Sequence, residues 1–162
     1  MADDYFLDIS SGNIKGECQD KDHSDQLQLL SWSWGGTNAS SVAGPGAGSG
    51  AGKVSLGDFH VVIMFDTSVP PFFKNLCTGK HIPTGKMTAV KAGSDGKPYL
   101  TVTLSEMFIT SLQIGASTEH PTVNASFSYN EIKIEYSSQG KDGVVKNSGT
   151  TGYNLKENKI TA

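Results

Sequence analysis

A lysine that follows a glycine-rich run can hold a phosphate, and Gly52-Lys53 ends such a run in this chain of 162 residues. A phosphate loop G-x-x-x-x-G-K-[ST] would then begin at Ala47 and finish at Val54, where glycine and a hydroxyl residue are required. The glycines of the tract fall at every second position, so G-x-G-x-x-G fails in every frame, and a strand pattern follows where a nucleotide loop needs a helix. Asp20, Asp22 and Asp25 suggest a cation loop, but an EF-hand starting at Asp20 needs glycine sixth and glutamate twelfth. Asp25 and Ser31 stand there instead. His23, His60, His81 and His120 are scattered singly, without an H-x-x-x-H pair. Cys77 and His81 can approach across a helix end, yet two ligands do not make a zinc site, and Cys77 falls on an apolar stripe that suits a core thiol. No Gly-x-Ser-x-Gly turn presents a serine nucleophile. The residues therefore point to a binding or structural protein, not an enzyme, with no cofactor and no metal.

Composition narrows the partners. Thirteen basic and sixteen acidic residues give a net charge of −3, and every basic residue is lysine. Arginine supplies the commonest base contacts and much phosphate recognition, so no nucleic-acid partner is expected. The longest apolar run, Val61 to Phe65, is far too short to span a bilayer, so no membrane insertion is expected. The N-terminal Met1-Ala2-Asp3-Asp4 is acidic where a secretory signal is basic, which argues against export by the general route. Without that route, the sequons at Asn38 and Asn124 are incidental, and Cys18 and Cys77 read as reduced thiols. The length suits one domain, 1–162.

Alternation of apolar and polar residues dominates the chain and predicts a mainly β protein. Tyr5, Leu7 and Ile9 alternate with Phe6 and Asp8; Leu30, Trp32 and Trp34 alternate with Ser31 and Ser33. Leu100, Val102 and Leu104 follow a turn signal at Gly93-Ser94-Asp95-Gly96. Between Val123 and Tyr136 the apolar residues switch from odd to even positions, which predicts a β-bulge near Asn130; a similar switch predicts another near Gly57-Asp58. Long strands bent by bulges suit a two-sheet β-barrel or sandwich. One short flanking helix is expected at about residues 68–78, where Val69, Phe72, Phe73, Leu76 and Cys77 make an amphipathic stripe. Ser68 suits its N-cap and Gly79 its C-terminal stop, with Pro70 and Pro71 tolerated in the first turn. About 12% of the residues are glycine against a usual share of about 7%, and eight of the 19 lie between Gly35 and Gly57. That excess marks an insertion at about 35–53 in a β–β connection.

In order and spacing, these segments resemble the haemolysin-coregulated protein (Hcp) family, the tube subunits of bacterial type VI secretion. The resemblance begins with Ile14-Lys15-Gly16-Glu17, Asp20 and His23, then Ser31-Trp32-Ser33-Trp34-Gly35. It continues through Gly52-Lys53-Val54, Asp66-Thr67-Ser68 and Cys77-Thr78-Gly79-Lys80-His81 to Lys91-Ala92-Gly93, Tyr99-Leu100 and Gly152-Tyr153-Asn154-Leu155. Two departures stand out: the loop is unusually rich in Ala and Gly, and Asp22 adds a charge beside His23.

The resemblance implies a homohexameric ring with an open lumen, and rings stacked into a tube inside a contractile sheath. It further implies a spike protein at the tip, small effector proteins sheltered in the lumen, and assembly in the bacterial cytoplasm before export without a signal peptide. On that basis Ser31 and Ser33, facing away from the tryptophans, become candidate lumen and effector contacts. Gly44, Pro45, Gly46, Ala47, Gly48, Ser49, Gly50, Ala51 and Gly52 become a candidate ring or stacking contact, since ordering a glycine tract is entropically costly without a neighbour. Glu131, Lys133 and Glu135 form a charged face for solvent, lumen or sheath. The alternative reading is an independent β-sandwich that binds carbohydrate or peptide through its tryptophans.

Overall fold

The computed structural model describes residues 3–39, 54–92, 96–139 and 144–162. The expected mainly β architecture with one helix is present. In chain order the strands are β1 (Asp4–Asp8), β2 (Leu27–Ser33), β3 (Gly36–Asn38), β4 (Val54–Leu56) and β5 (Phe59–Met64). After α1 (Val69–Thr78) come β6 (Ile82–Val90), β7 (Pro98–Gly115), β8 (Thr122–Ser128), β9 (Glu131–Gln139), β10 (Val145–Asn154) and β11 (Lys159–Ile160). The main sheet runs β11-β10-β9-β7-β6-β1-β2-β5-β8, and β8 pairs back onto β7, so six strands close a barrel. Strands β9, β10 and β11 extend from β7 as a wing, and β3 and β4 form a second, two-stranded sheet.

Closure requires β7 to serve two neighbours along one edge. Its first part pairs with β9, from Leu100↔Tyr136 to Ser105↔Glu131, and its second part pairs with β8, from Phe108↔Ser128 to Gly115↔Thr122. The apolar phase does switch near Asn130, but not through a one-sided bulge as expected. Ser105 to Phe108 and Ser128 to Glu131 are three steps each, so register is kept. Glu106, opposite Asn130, takes φ 51° in the left-handed region, and both strands turn over together. The bulge at Gly57-Asp58 is present as expected. Three residues, 57–59, stand between Leu56 and His60 where only two, 34–35, stand between Ser33 and Gly36.

The inward positions fill one core: Leu7, Ile9, Leu27, Phe59, Ile63, Ile82, Met87, Leu104, Met107, Val123 and Phe127 are all buried. Removing each such side chain from water contributes about 1.5–3 kcal/mol. Phe6, expected on the outer face of β1, is also buried, with Cys18 and Val90, because residues 16–26 fold over that face. His23 stacks on the Phe6 ring at 3.9 Å and 4°. The covering loop needs Gly16, since a Cβ there would stand 2.5 Å from the Gln26 carbonyl oxygen.

Helix α1 connects β5 to β6 and drives Val69 and Phe72 into the core, with the Phe72 ring 5.8 Å from that of Phe127. Gly79 ends it at φ 69°, its N–H donating to the Asn75 carbonyl at 2.9 Å. At the other end, Ser68 makes no side-chain cap. Instead Asp66 accepts from the Ser68 amide at 2.8 Å and from the Ser68 hydroxyl. The stripe is narrower than its pattern: Asn75 is buried, Leu76 is partly buried, and Phe73 and Cys77 are exposed. The Cys77 thiol is therefore not a core group. No helix among the described residues is long and apolar enough to cross a membrane.

Candidate functional surface

Alternation along β2 sends Trp32 inward and leaves Ser31 and Ser33 exposed. Trp32 is half-buried and packs against the core, stacked on Phe59 at 5.8 Å and edge-on to Tyr5 at 6.3 Å. Leu30 does not share that face. A register shift between Leu29 and Ser31 breaks the alternation, so Leu29 is buried and Leu30 is 53% exposed.

Registers across β2, β5, β8 and β7 extend the serine face into two rows, polar except for Val62. Ser33 pairs with His60, His60 with Ser126 and Ser126 with Ser111; Ser31 pairs with Val62, Val62 with Asn124 and Asn124 with Gln113. Together Ser31, Ser33, His60, Asn124 and Ser126 line a shallow depression of about 280 Å³. The His60 Nδ1 lies 2.6 Å from the Ser126 hydroxyl. Sequence reading missed His60, Asn124 and Ser126 as site residues. The signal was present, since each alternates with a buried neighbour: Phe59, Val61, Val123, Ala125 and Phe127. Only the register shows that they meet the serines.

Beside this face the chain passes from barrel to hairpin through a fixed relay. The Trp34 indole N–H donates to the Tyr129 hydroxyl at 2.5 Å, and that hydroxyl donates to the Gly57 carbonyl at 2.8 Å. The Gly57 amide donates in turn to Gly35 at 2.9 Å. Burial raises the Tyr129 pKa; the Trp34 hydrogen bond works against that rise and the Asp58 carboxylate adds to it. Strands β3 and β4 then pair as far as Asn38↔Val54, which brings the two ends of the glycine-rich connection together. The candidate contact residues from Gly44 to Gly52 lie outside the described residues.

An apolar groove of about 230 Å³ separates this hairpin from the wing, with Trp34, Leu56, Ile132, Ile134, Tyr153 and Ile160 among its walls. On β9, Glu131, Lys133 and Glu135 are half-buried, with Lys133 paired to Glu135 at 2.7 Å. Tyr99, on the first turn of β7, has its pKa raised by burial and by the Asp3 carboxylate, which accepts its hydroxyl at 2.5 Å. Among the described residues no group of three or more His, Cys, Asp or Glu side chains is placed to hold a metal ion. The Asp20 carboxylate instead accepts from the Asp22 amide at 2.9 Å.

The comparisons with known proteins agree with one another. A family model described as "Type VI secretion system effector, Hcp" matches residues 6–136. Protein hcp1 of Pseudomonas aeruginosa is 36% identical over 163 residues, covering 98% of each chain. The crystal structure of Hcp1 from Salmonella typhimurium superposes with a TM-score of 0.79 at 29% identity, covering 99% of this chain and 100% of that one. A chain described as the structure of a type six secretion system protein reaches a TM-score of 0.90 at 21% identity, over 99% of this chain and 100% of that one, a likeness of fold. A family model spanning most of the chain, with a relative alike from end to end, shows that this chain belongs to the Hcp family of type VI secretion proteins.

Proposed function

We propose that the chain is a tube subunit that closes into homohexameric rings, stacks ring on ring, and carries effector proteins in the lumen past a sheath and behind a spike. Assembly takes place in the bacterial cytoplasm, and export follows with the tube. The likeness to protein hcp1 over 98% of both chains carries this reading. The polar, shallow face of β2, β5 and β8 suits a lumen wall, because small side chains leave room for cargo. The test is the solution mass by light scattering, followed by electron microscopy of the same sample. Six chains of 17.1 kDa give about 103 kDa. Ring-shaped particles near that mass support the reading. A monomer at every concentration, with saturable binding of a sugar or peptide, would favour the independent β-sandwich module.

Two variants probe the parts. Ser33→Glu places a bulky charge on an exposed strand position and should leave folding and ring mass unchanged while reducing cargo that co-purifies with the ring. Unchanged cargo recovery would remove Ser33 from the lumen face. Replacing residues 44–52 with a short turn should leave the melting temperature of the subunit unchanged, because loop length alters closure entropy only slowly. The same variant should shorten or abolish tubes in micrographs. Tubes of normal length would remove the loop from stacking.

A further inference from the structure

We infer that the depression formed by Ser31, Ser33, His60, Asn124 and Ser126 receives carboxylate side chains of a bound polypeptide, and that His60 strengthens this contact in acid. The inference rests on the proposed lumen role of this face and names the chemistry of its cargo.

Four of the five side chains carry hydroxyl or amide donors, and the fifth, His60, is an imidazole, the side-chain class that can take up a proton and a positive charge. No carboxylate lines the depression. The elements packed around His60 bring no other titratable side chain to it: β2 presents Ser31 and Ser33, β8 presents Asn124 and Ser126, and β7 beyond it presents Ser111 and Gln113. On β5's own approach, the Asp58 carboxylate accepts the Thr110 hydroxyl at 2.7 Å. The lining of the depression thus holds no negative charge, and Asp58, two residues before His60, is the carboxylate beside it, in a chain that carries −3 as a whole.

The His60–Ser126 contact adds a second effect of protonation. In a neutral imidazole one ring nitrogen donates and the other accepts, so a Ser126 hydroxyl pointing at Nδ1 can spend its hydrogen on the ring. A proton taken from solvent makes both ring nitrogens donors. Nδ1 must then donate to the Ser126 oxygen, and the serine hydrogen turns outward. Ser126 is 8% exposed and held in β8, so the released donor stays at the depression. Acid therefore supplies one positive charge and one hydrogen-bond donor at a place where a carboxylate can accept both.

The test is fluorescence anisotropy of a labelled poly-glutamate peptide, with a Gly-Ser peptide as the neutral probe, at pH 5.5 and 7.5. Wild-type protein should bind poly-glutamate about three- to fivefold more tightly at pH 5.5, the scale of one exposed charge pair, and the neutral probe equally at both. His60→Asn should lose the difference, and His60→Lys should bind tightly at both. An equal gain in acid for wild type and His60→Asn would assign the effect to His23, His81 or His120 and overturn the inference, as would no gain in wild type. Light scattering on the same samples reports ring formation separately. A monomer that keeps the His60-dependent gain would preserve the site and remove the lumen, whereas a ring without the gain would preserve the tube and remove the site.

Discussion

Phe72→Ala should lower the unfolding free energy by about 3–5 kcal/mol, the usual cost of truncating a fully buried phenylalanine. Phe72 is 0% exposed and reaches from α1 into the core, so its loss opens a cavity beside Phe127. The neighbours are barrel strands already committed to closure, which leaves little freedom to collapse into the space. The conservative Phe72→Leu should cost about 1 kcal/mol, within the range of volume-conserving swaps. Denaturant unfolding monitored by tryptophan fluorescence checks both. A loss for Phe72→Ala no larger than that of an exposed substitution such as Phe73→Ala, at a side chain 59% exposed, would show that the helix does not close the core.

Tyr129→Phe should cost about 0.5–1.5 kcal/mol, the net worth of an ordinary hydrogen bond, because it removes the partner shared by the half-buried Trp34 indole N–H and the carbonyl of the exposed Gly57. Tyr129 is 7% exposed, and its ring would stay packed, so the change isolates the hydroxyl. The loss should not be uniform. The relay joins β8's end to the start of the β3–β4 hairpin, so hydrogen exchange should quicken most at Gly36–Asn38 and Val54–Leu56. Barrel strands β1 and β6 should keep their relative protection. Equal acceleration everywhere would mean that Tyr129 supports global stability alone and does not hold the hairpin.

Which parts of this were legible beforehand follows from the range of each interaction. Alternation is local, so the strand-rich fold, the inward Trp32 and the outward Ser31 and Ser33 could be read directly. The helix and its Gly79 stop are equally local. Phe73 and Cys77 could not be placed this way, since five apolar residues define a face wider than the one the barrel covers. Leu30 was misplaced because a bulge between Leu29 and Ser31 leaves no mark in a run of apolar residues. Phe6 looked solvent-facing until a loop ten or more residues later folded over it. His60 and Ser126, 66 positions apart, needed the sheet register before they could form a pair. The family resemblance was readable because it rests on the order of many short segments, each of which says little alone.

The matched turnover at Glu106 and Asn130 makes the long β7–β8–β9 hairpin behave like a paired alphabet with a parity rule. A single deletion on one side of the turnover would turn the following residues the wrong way relative to their partners unless a bulge took up the offset, as the one between Ile109 and Ser111 does further along β7. Removing both members together would preserve the parity. It would still cut the moorings of the chain's last turn, for Asn130 accepts from the Leu155 amide at 2.7 Å and from the Lys156 amide at 3.2 Å. Length variation here thus takes either a compensating bulge or a coordinated double change, and the double change also renegotiates the C-terminal segment.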